Sequence, residues 1–143
     1  MKIGRWILLA LVLAGAGVFA WARYGPPRNP FSDAIEAEVS ATMVPAGIRI
    51  KVEVLNATKV PGLARRATIF LRDRGFDVVE TGTAGEQRAT TLVLDRSNHE
   101  EWARLVGRAL NAKVESRPDS TSFLDVTVLL GDDWRPPALP FYP

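Results

Sequence analysis

The stretch Ile48-Arg49-Ile50-Lys51-Val52-Glu53-Val54-Leu55-Asn56-Ala57-Thr58-Lys59-Val60-Pro61-Gly62-Leu63 decides the fold. Ile48, Ile50, Val52 and Val54 alternate with Arg49, Lys51 and Glu53, the period-two pattern of a strand with one buried and one wet face. Asn56 to Gly62 is turn chemistry, and Pro61 suits the first turn of a helix. Leu63, Ala67, Phe70 and Leu71 then recur at helical spacing, with Arg65, Arg66, Arg72 and Asp73 on the other side. Gly75 stops that helix as a left-handed terminal residue.

Downstream the same grammar repeats. Phe76 to Glu80 reads as a second strand, Gly82 to Ala89 as a loop and Thr91 to Leu94 as a third strand. Ser97-Asn98-His99-Glu100 has capping-box spacing, and the helix it opens is expected to bury Trp102, Leu105, Val106, Ala109 and Leu110. Val114 to Arg117 is a weak strand, Pro118 to Ser122 a turn, and Val126 to Leu130 a strong last strand ending at Gly131-Asp132-Asp133-Trp134. The order is β-α-β-β-α-β-β. Two helices cannot cover both faces of such a sheet. The expected fold is therefore an α/β (α+β) two-layer sandwich of the split-βαβ kind, with both helices on one face of a mixed sheet.

Upstream lies a different kind of sequence. Trp6 to Ala22 is an uncharged run of seventeen residues after Met1-Lys2-Ile3-Gly4-Arg5. At about 1.5 Å per residue it would span roughly 25 Å as a helix, short but workable against a hydrocarbon core of about 30 Å. Trp6, Trp21 and Tyr24 stand where interfacial aromatics belong. Residues 1–22 are thus expected to form one transmembrane helix preceding the domain, with a cleaved signal peptide at Ala20-Trp21-Ala22 as the alternative. Residues 23–47 read as a Pro-containing linker, in which Phe31 to Met43 is either a short helix or a strand. Residues 48–134 are the folded domain, and residues 135–143 a Pro-rich tail. On this reading the location is the cytoplasmic membrane, single-pass through residues 6–22, with the domain outside the cytoplasm; cleavage would make the chain secreted.

Charge and chemistry exclude more than they select. Residues 48–134 carry thirteen basic and thirteen acidic side chains, so the basic excess sits at the chain ends and no nucleic-acid partner is expected. There is no cysteine, hence no thiolate nucleophile or thiolate metal site. His99 is the sole histidine and lacks an i, i+4 partner. Asp125, Asp132 and Asp133 do not fall at EF-hand spacing, and Gly82 to Gly85 lacks the Lys-Ser/Thr of a phosphate loop. No enzyme, metal or cofactor is expected. Arg65, Arg66 and Arg72, with Arg104 and Arg108, make a basic helix face that either attracts an anionic polymer or is merely solvated.

The runs Ile50 to Thr58, Gly62-Leu63-Ala64, Leu71 to Val79, Thr91 to Arg96, Asp125 to Gly131 and Asp133-Trp134, in that order, resemble the LytR C-terminal domain family. In that family the domain often follows a LytR–CpsA–Psr catalytic domain, which attaches anionic polymers to peptidoglycan, and it also occurs alone behind a membrane anchor. The catalytic domain is missing from this sequence, so the transferase activity does not carry over. The resemblance implies a non-catalytic, membrane-anchored bacterial cell-envelope module that binds a protein partner in cell-wall assembly. Direct binding of peptidoglycan or anionic wall polymer, by the open sheet face or the basic helix face, is the alternative. Asn56, Gly62, Arg65, Arg66, Gly75, Gly131, Asp133 and Trp134 are the candidate binding or family-motif positions.

Overall fold

The computed structural model describes residues 29–136. The chain divides into two compact units, one through Glu38 and one from Val39 onward. The described part of the first is mostly helix α1 (Pro30–Ser40), which resolves the helix-or-strand alternative. Asn29 accepts the Phe31 N–H on Oδ1 at 3.1 Å, and Pro30 occupies the first helical position, where a missing N–H costs nothing. No α1 residue is buried.

The second unit holds β1 (Lys51–Asn56), α2 (Leu63–Arg72), β2 (Asp77–Thr83), β3 (Leu92–Asp95), α3 (Glu100–Leu110), β4 (Lys113–Ser116) and β5 (Val126–Leu130). They form one five-stranded mixed sheet in the order β2-β1-β5-β3-β4. β1 runs parallel to β2 and β5, β3 runs antiparallel to β5, and β4 is parallel to β3. Leu63, Ala67 and Leu71 of α2 share one core with Ala103, Val106 and Leu110 of α3 and with Val52, Val54, Val78, Val93, Val126 and Val128 of the sheet. Both helices therefore lie on one face.

Several expectations need correction. Each helix joins strands that are direct hydrogen-bonded neighbours, β1 with β2 and β3 with β4, so neither βαβ unit is split. It is β5 that enters between the two units. The capping box is replaced: α3 starts at Glu100 behind His99, with no side-chain cap bond from that residue. Asp95 Oδ1 instead accepts the Ser97 and His99 N–H groups, both at 3.1 Å. The Asp95 carboxylate, buried at the end of β3, thereby takes the Ser97 N–H that Glu100 would have accepted in a capping box. Trp102 and Ala109 are half-buried rather than core, and Trp102 stacks on the His99 ring at 4.0 Å.

The transmembrane helix is also corrected. Among the described residues no helix is long and apolar enough to cross a membrane, and the segment 6–22 lies outside them. The described helix that precedes the sheet is α1, eleven residues containing Asp33, Glu36 and Glu38. The membrane partner, the single-pass location and the anchored form of the module are not carried forward.

The open sheet face is largely occupied with itself. Thr127, 1% exposed, donates to Glu53 Oε2 at 2.9 Å and accepts from Arg96 Nε at 3.2 Å. Leu55, Leu129 and Leu92 stand in register across three adjacent strands, and Leu55 Cδ2 comes within 3.1 Å of where a Gly82 Cβ would sit.

Candidate binding cleft

The turn after β1 is built by Asn56. Its Nδ2 donates to the Val60 carbonyl at 2.8 Å, and its Oδ1 accepts from the Thr58 N–H and Oγ1 at 3.1 and 2.8 Å. Gly62 follows at φ +73° and hands the chain to α2. All of the Asn56 amide's bonds are thus internal to the turn. Asn56→Ala is expected to cost about 1–2 kcal/mol by orphaning these groups, read as a lower midpoint in urea unfolding with an unchanged slope.

At the other end of α2, the Phe76 N–H bonds the Leu71 carbonyl and the Gly75 N–H bonds the Arg72 carbonyl, with Gly75 at φ +87°. That is a Schellman ending. α3 closes the same way on Asn111, whose φ is 51°. Asparagine tolerates this left-handed geometry better than most side chains.

Between the C-terminal parts of α2 and α3 the fold leaves an open cleft of about 490 Å³. Trp134, 6% exposed, forms part of its apolar wall and meets the Phe70 ring edge-on, centroids 6.1 Å apart at 70°. The Arg74 guanidinium lies over Phe70 with Cζ 3.6 Å from the ring centroid, and its Nη1 donates to the Phe70 carbonyl at 3.2 Å. Among the described residues Arg74 Nε is buried with no hydrogen-bond partner. Burial pushes this guanidinium below the usual arginine range, while the Asp73 carboxylate draws it back up. Ala109, Leu110 and Asn111 line the α3 side, and Arg135 the rim.

Asp133 joins this cleft through the β5 exit. Its Oδ1 accepts both the Thr91 N–H, at 2.8 Å, and the Thr91 hydroxyl, at 2.7 Å. Thr91 Oγ1 in turn accepts the Gly131 N–H at 3.0 Å. Gly131 is required there, because a Cβ would fall 2.3 Å from the Thr90 carbonyl carbon.

Of the eight sequence-derived positions, Asp133 and Trp134 meet in the cleft, and Gly131 anchors the segment that carries them. Asn56, Gly62 and Gly75 serve turns. Arg65 and Arg66 are exposed on α2 and do not line the cleft; Arg66 reaches only the Pro61 carbonyl, at 3.4 Å. The basic helix face is dispersed as well, since Arg104 pairs with Glu100 at 2.7 Å and Arg72 donates to the Val78 carbonyl at 2.7 Å. Phe70, Arg74, Asn111 and Arg135 escaped the sequence reading as site residues. The spacing of Phe70 and Arg74, four apart at a helix end, is the signal that could have found the stacked pair.

Among the described residues no group of three or more His, Cys, Asp or Glu is arranged to hold a metal. His99 Nδ1 is 3.1 Å from Ser97 Oγ, and the ring stacks on Trp102 with centroids 4.0 Å apart.

No curated protein matches the chain. The solution structure of the C-terminal domain of RV0431 is similar at 29% identity, over 62% of this chain and 77% of that one, with a TM-score of 0.40. The family model described as LytR cell envelope-related transcriptional attenuator matches residues 49–134, a stretch that runs from the residue before Ile50 to the cleft tryptophan. The chain accordingly belongs to the LytR cell envelope-related transcriptional attenuator family.

Proposed function

We propose that this domain is a non-catalytic binding module of the cell envelope that works through the cleft between α2 and α3. The observation that carries the proposal is the Arg74 guanidinium. It lies over Phe70 at the cleft and, among the described residues, makes one hydrogen bond, from Nη1, while Nη2 is unpaired and not buried. A guanidinium offers five donors, and those open to the cleft can make charge-assisted bonds to an acceptor on a ligand. The open sheet face is a weaker candidate, because the Thr127 hydroxyl there is already bonded to Glu53 and Arg96. Envelope placement rests on the family match.

Ala109 lines the cleft and is only half-buried, so Ala109→Trp would fill it without entering the core. The full chain should co-sediment with delipidated, insoluble cell-wall material, and so should Arg65→Trp, whose position lies off the cleft. Ala109→Trp should remain in the supernatant while melting as the parent does. Sedimentation of Ala109→Trp equal to the parent, or no sedimentation of the parent, would sink the proposal.

A further inference from the structure

We propose that the cleft takes an acidic saccharide, its carboxylate paired with Arg74 and Arg135 and its hydroxyls with Asp133 and Asn111. The inference rests on the binding role proposed above and names the ligand class for the same site. Three features select this chemistry. The first is a pair of cationic side chains: Arg74 lines the cleft with Nη2 unpaired among the described residues and not buried, and Arg135 stands at the rim with only its Nη1 engaged, by the Asp132 and Trp134 carbonyls, so a planar carboxylate finds charge-assisted partners.

The second is Asp133. Among the described residues both hydrogen bonds to its carboxylate end on Oδ1, which leaves Oδ2 as an acceptor for a hydroxyl. An acceptor-only carboxylate beside two arginines repels a dense polyanion but suits a sugar carrying one acid group per ring. Asn111 adds an exposed amide that can donate and accept. The third is the apolar lining from the half-buried Phe70 and Ala109, against which the C–H face of a sugar ring loses water favourably. The cleft volume of about 490 Å³ is in the ordinary range for a small-ligand site, roughly 300–1,000 Å³.

The test is calorimetric titration of the full chain with three probes: trigalacturonate, a neutral galactose trisaccharide and inorganic tripolyphosphate. Trigalacturonate should bind at least roughly tenfold tighter than either of the others, the effect of a charge-assisted pair combined with sugar contacts. Arg74→Gln and Arg135→Gln should each weaken it by about the same factor, and Arg65→Gln should leave it unchanged. Arg74 also contacts Phe70, so Arg135→Gln serves as the variant that keeps the fold whatever happens to Arg74→Gln.

Equal binding of the neutral sugar would show that the acid group is not read, and equal or tighter binding of tripolyphosphate would show that charge alone is. Either result overturns the inference, as does an Arg135→Gln chain that binds normally. If trigalacturonate fails to bind while Ala109→Trp still abolishes wall sedimentation, the saccharide assignment falls and the cleft keeps its role. If both experiments fail, the binding role falls with it.

Discussion

Replacing Gly131 with alanine is expected to cost at least about 3 kcal/mol of folding stability, the top of the range for overpacking a dense interior. The reason lies in what a Cβ would strike. Its nearest neighbours would be the Thr90 carbonyl carbon at 2.3 Å, the Thr91 nitrogen at 2.6 Å and Thr90 Cα at 2.7 Å, all backbone. A side chain in the way can rotate aside, but a backbone must be moved. Here it is held by several bonds at once: Asp132 N–H to the Arg88 carbonyl, Asp133 N–H to the Ala89 carbonyl, both at 3.1 Å, and Gly131 N–H to Thr91 Oγ1. Shifting one strand end therefore loosens the whole seam and the Asp133 carboxylate with it. For a domain of this size, 1 kcal/mol moves the melting point by about 4–8 °C, so the fall should be on the order of 15 °C. Gly85→Ala is the matched control, since nothing lies within 4 Å of the Cβ it would add. Coincident melting curves for the two variants would refute the close approach.

The second large effect is expected at Trp134. Truncating a buried tryptophan to alanine costs about 3–5 kcal/mol through lost transfer energy and the cavity left behind. Trp134 is 6% exposed, belongs to the core cluster and makes an edge-on contact with Phe70 of the kind that adds about 0.5–1.5 kcal/mol. Trp134→Phe should retain the aromatic contact and lose appreciably less. Urea unfolding of the two variants, alone and combined with Phe70→Leu, measures both parts. The Trp134–Phe70 coupling should be positive, because each ring holds the other against the cleft. A cost below about 1 kcal/mol for Trp134→Ala would mean that the ring is not part of the core. The same variant removes part of the apolar cleft wall, so its sedimentation with wall material should fall even below its melting temperature.

How much of this was legible beforehand depends on the range of the interaction. Ile50, Val52 and Val54 alternate with polar residues, and that alternation alone dictates a strand with one buried face. The two amphipathic helices are equally local, because residues three and four apart share a face whatever lies elsewhere. Gly62 and Gly75 mark turns that demand positive φ, and they have it. The α3 cap was misread for the opposite reason. Ser97 and Glu100 have the right spacing, but Asp95, buried at the end of β3, holds the donors from a position that only the finished sheet defines.

The family-motif pair Asp133-Trp134 was picked out in sequence with no means of saying what it meets. Its partners Phe70 and Arg74 lie about sixty residues away in the chain and Asn111 more than twenty, with no periodicity to connect them.

By itself, then, the sequence determined the element order β-α-β-β-α-β-β, the neutrality of the domain and its family, because strand alternation, helical spacing, turn chemistry and charge are properties of neighbouring residues. Tertiary structure alone decided that β5 enters between the two βαβ units and that the ends of α2 and α3 stand apart over Trp134. Both depend on which distant apolar faces bury one another, and that choice is made by the whole core at once.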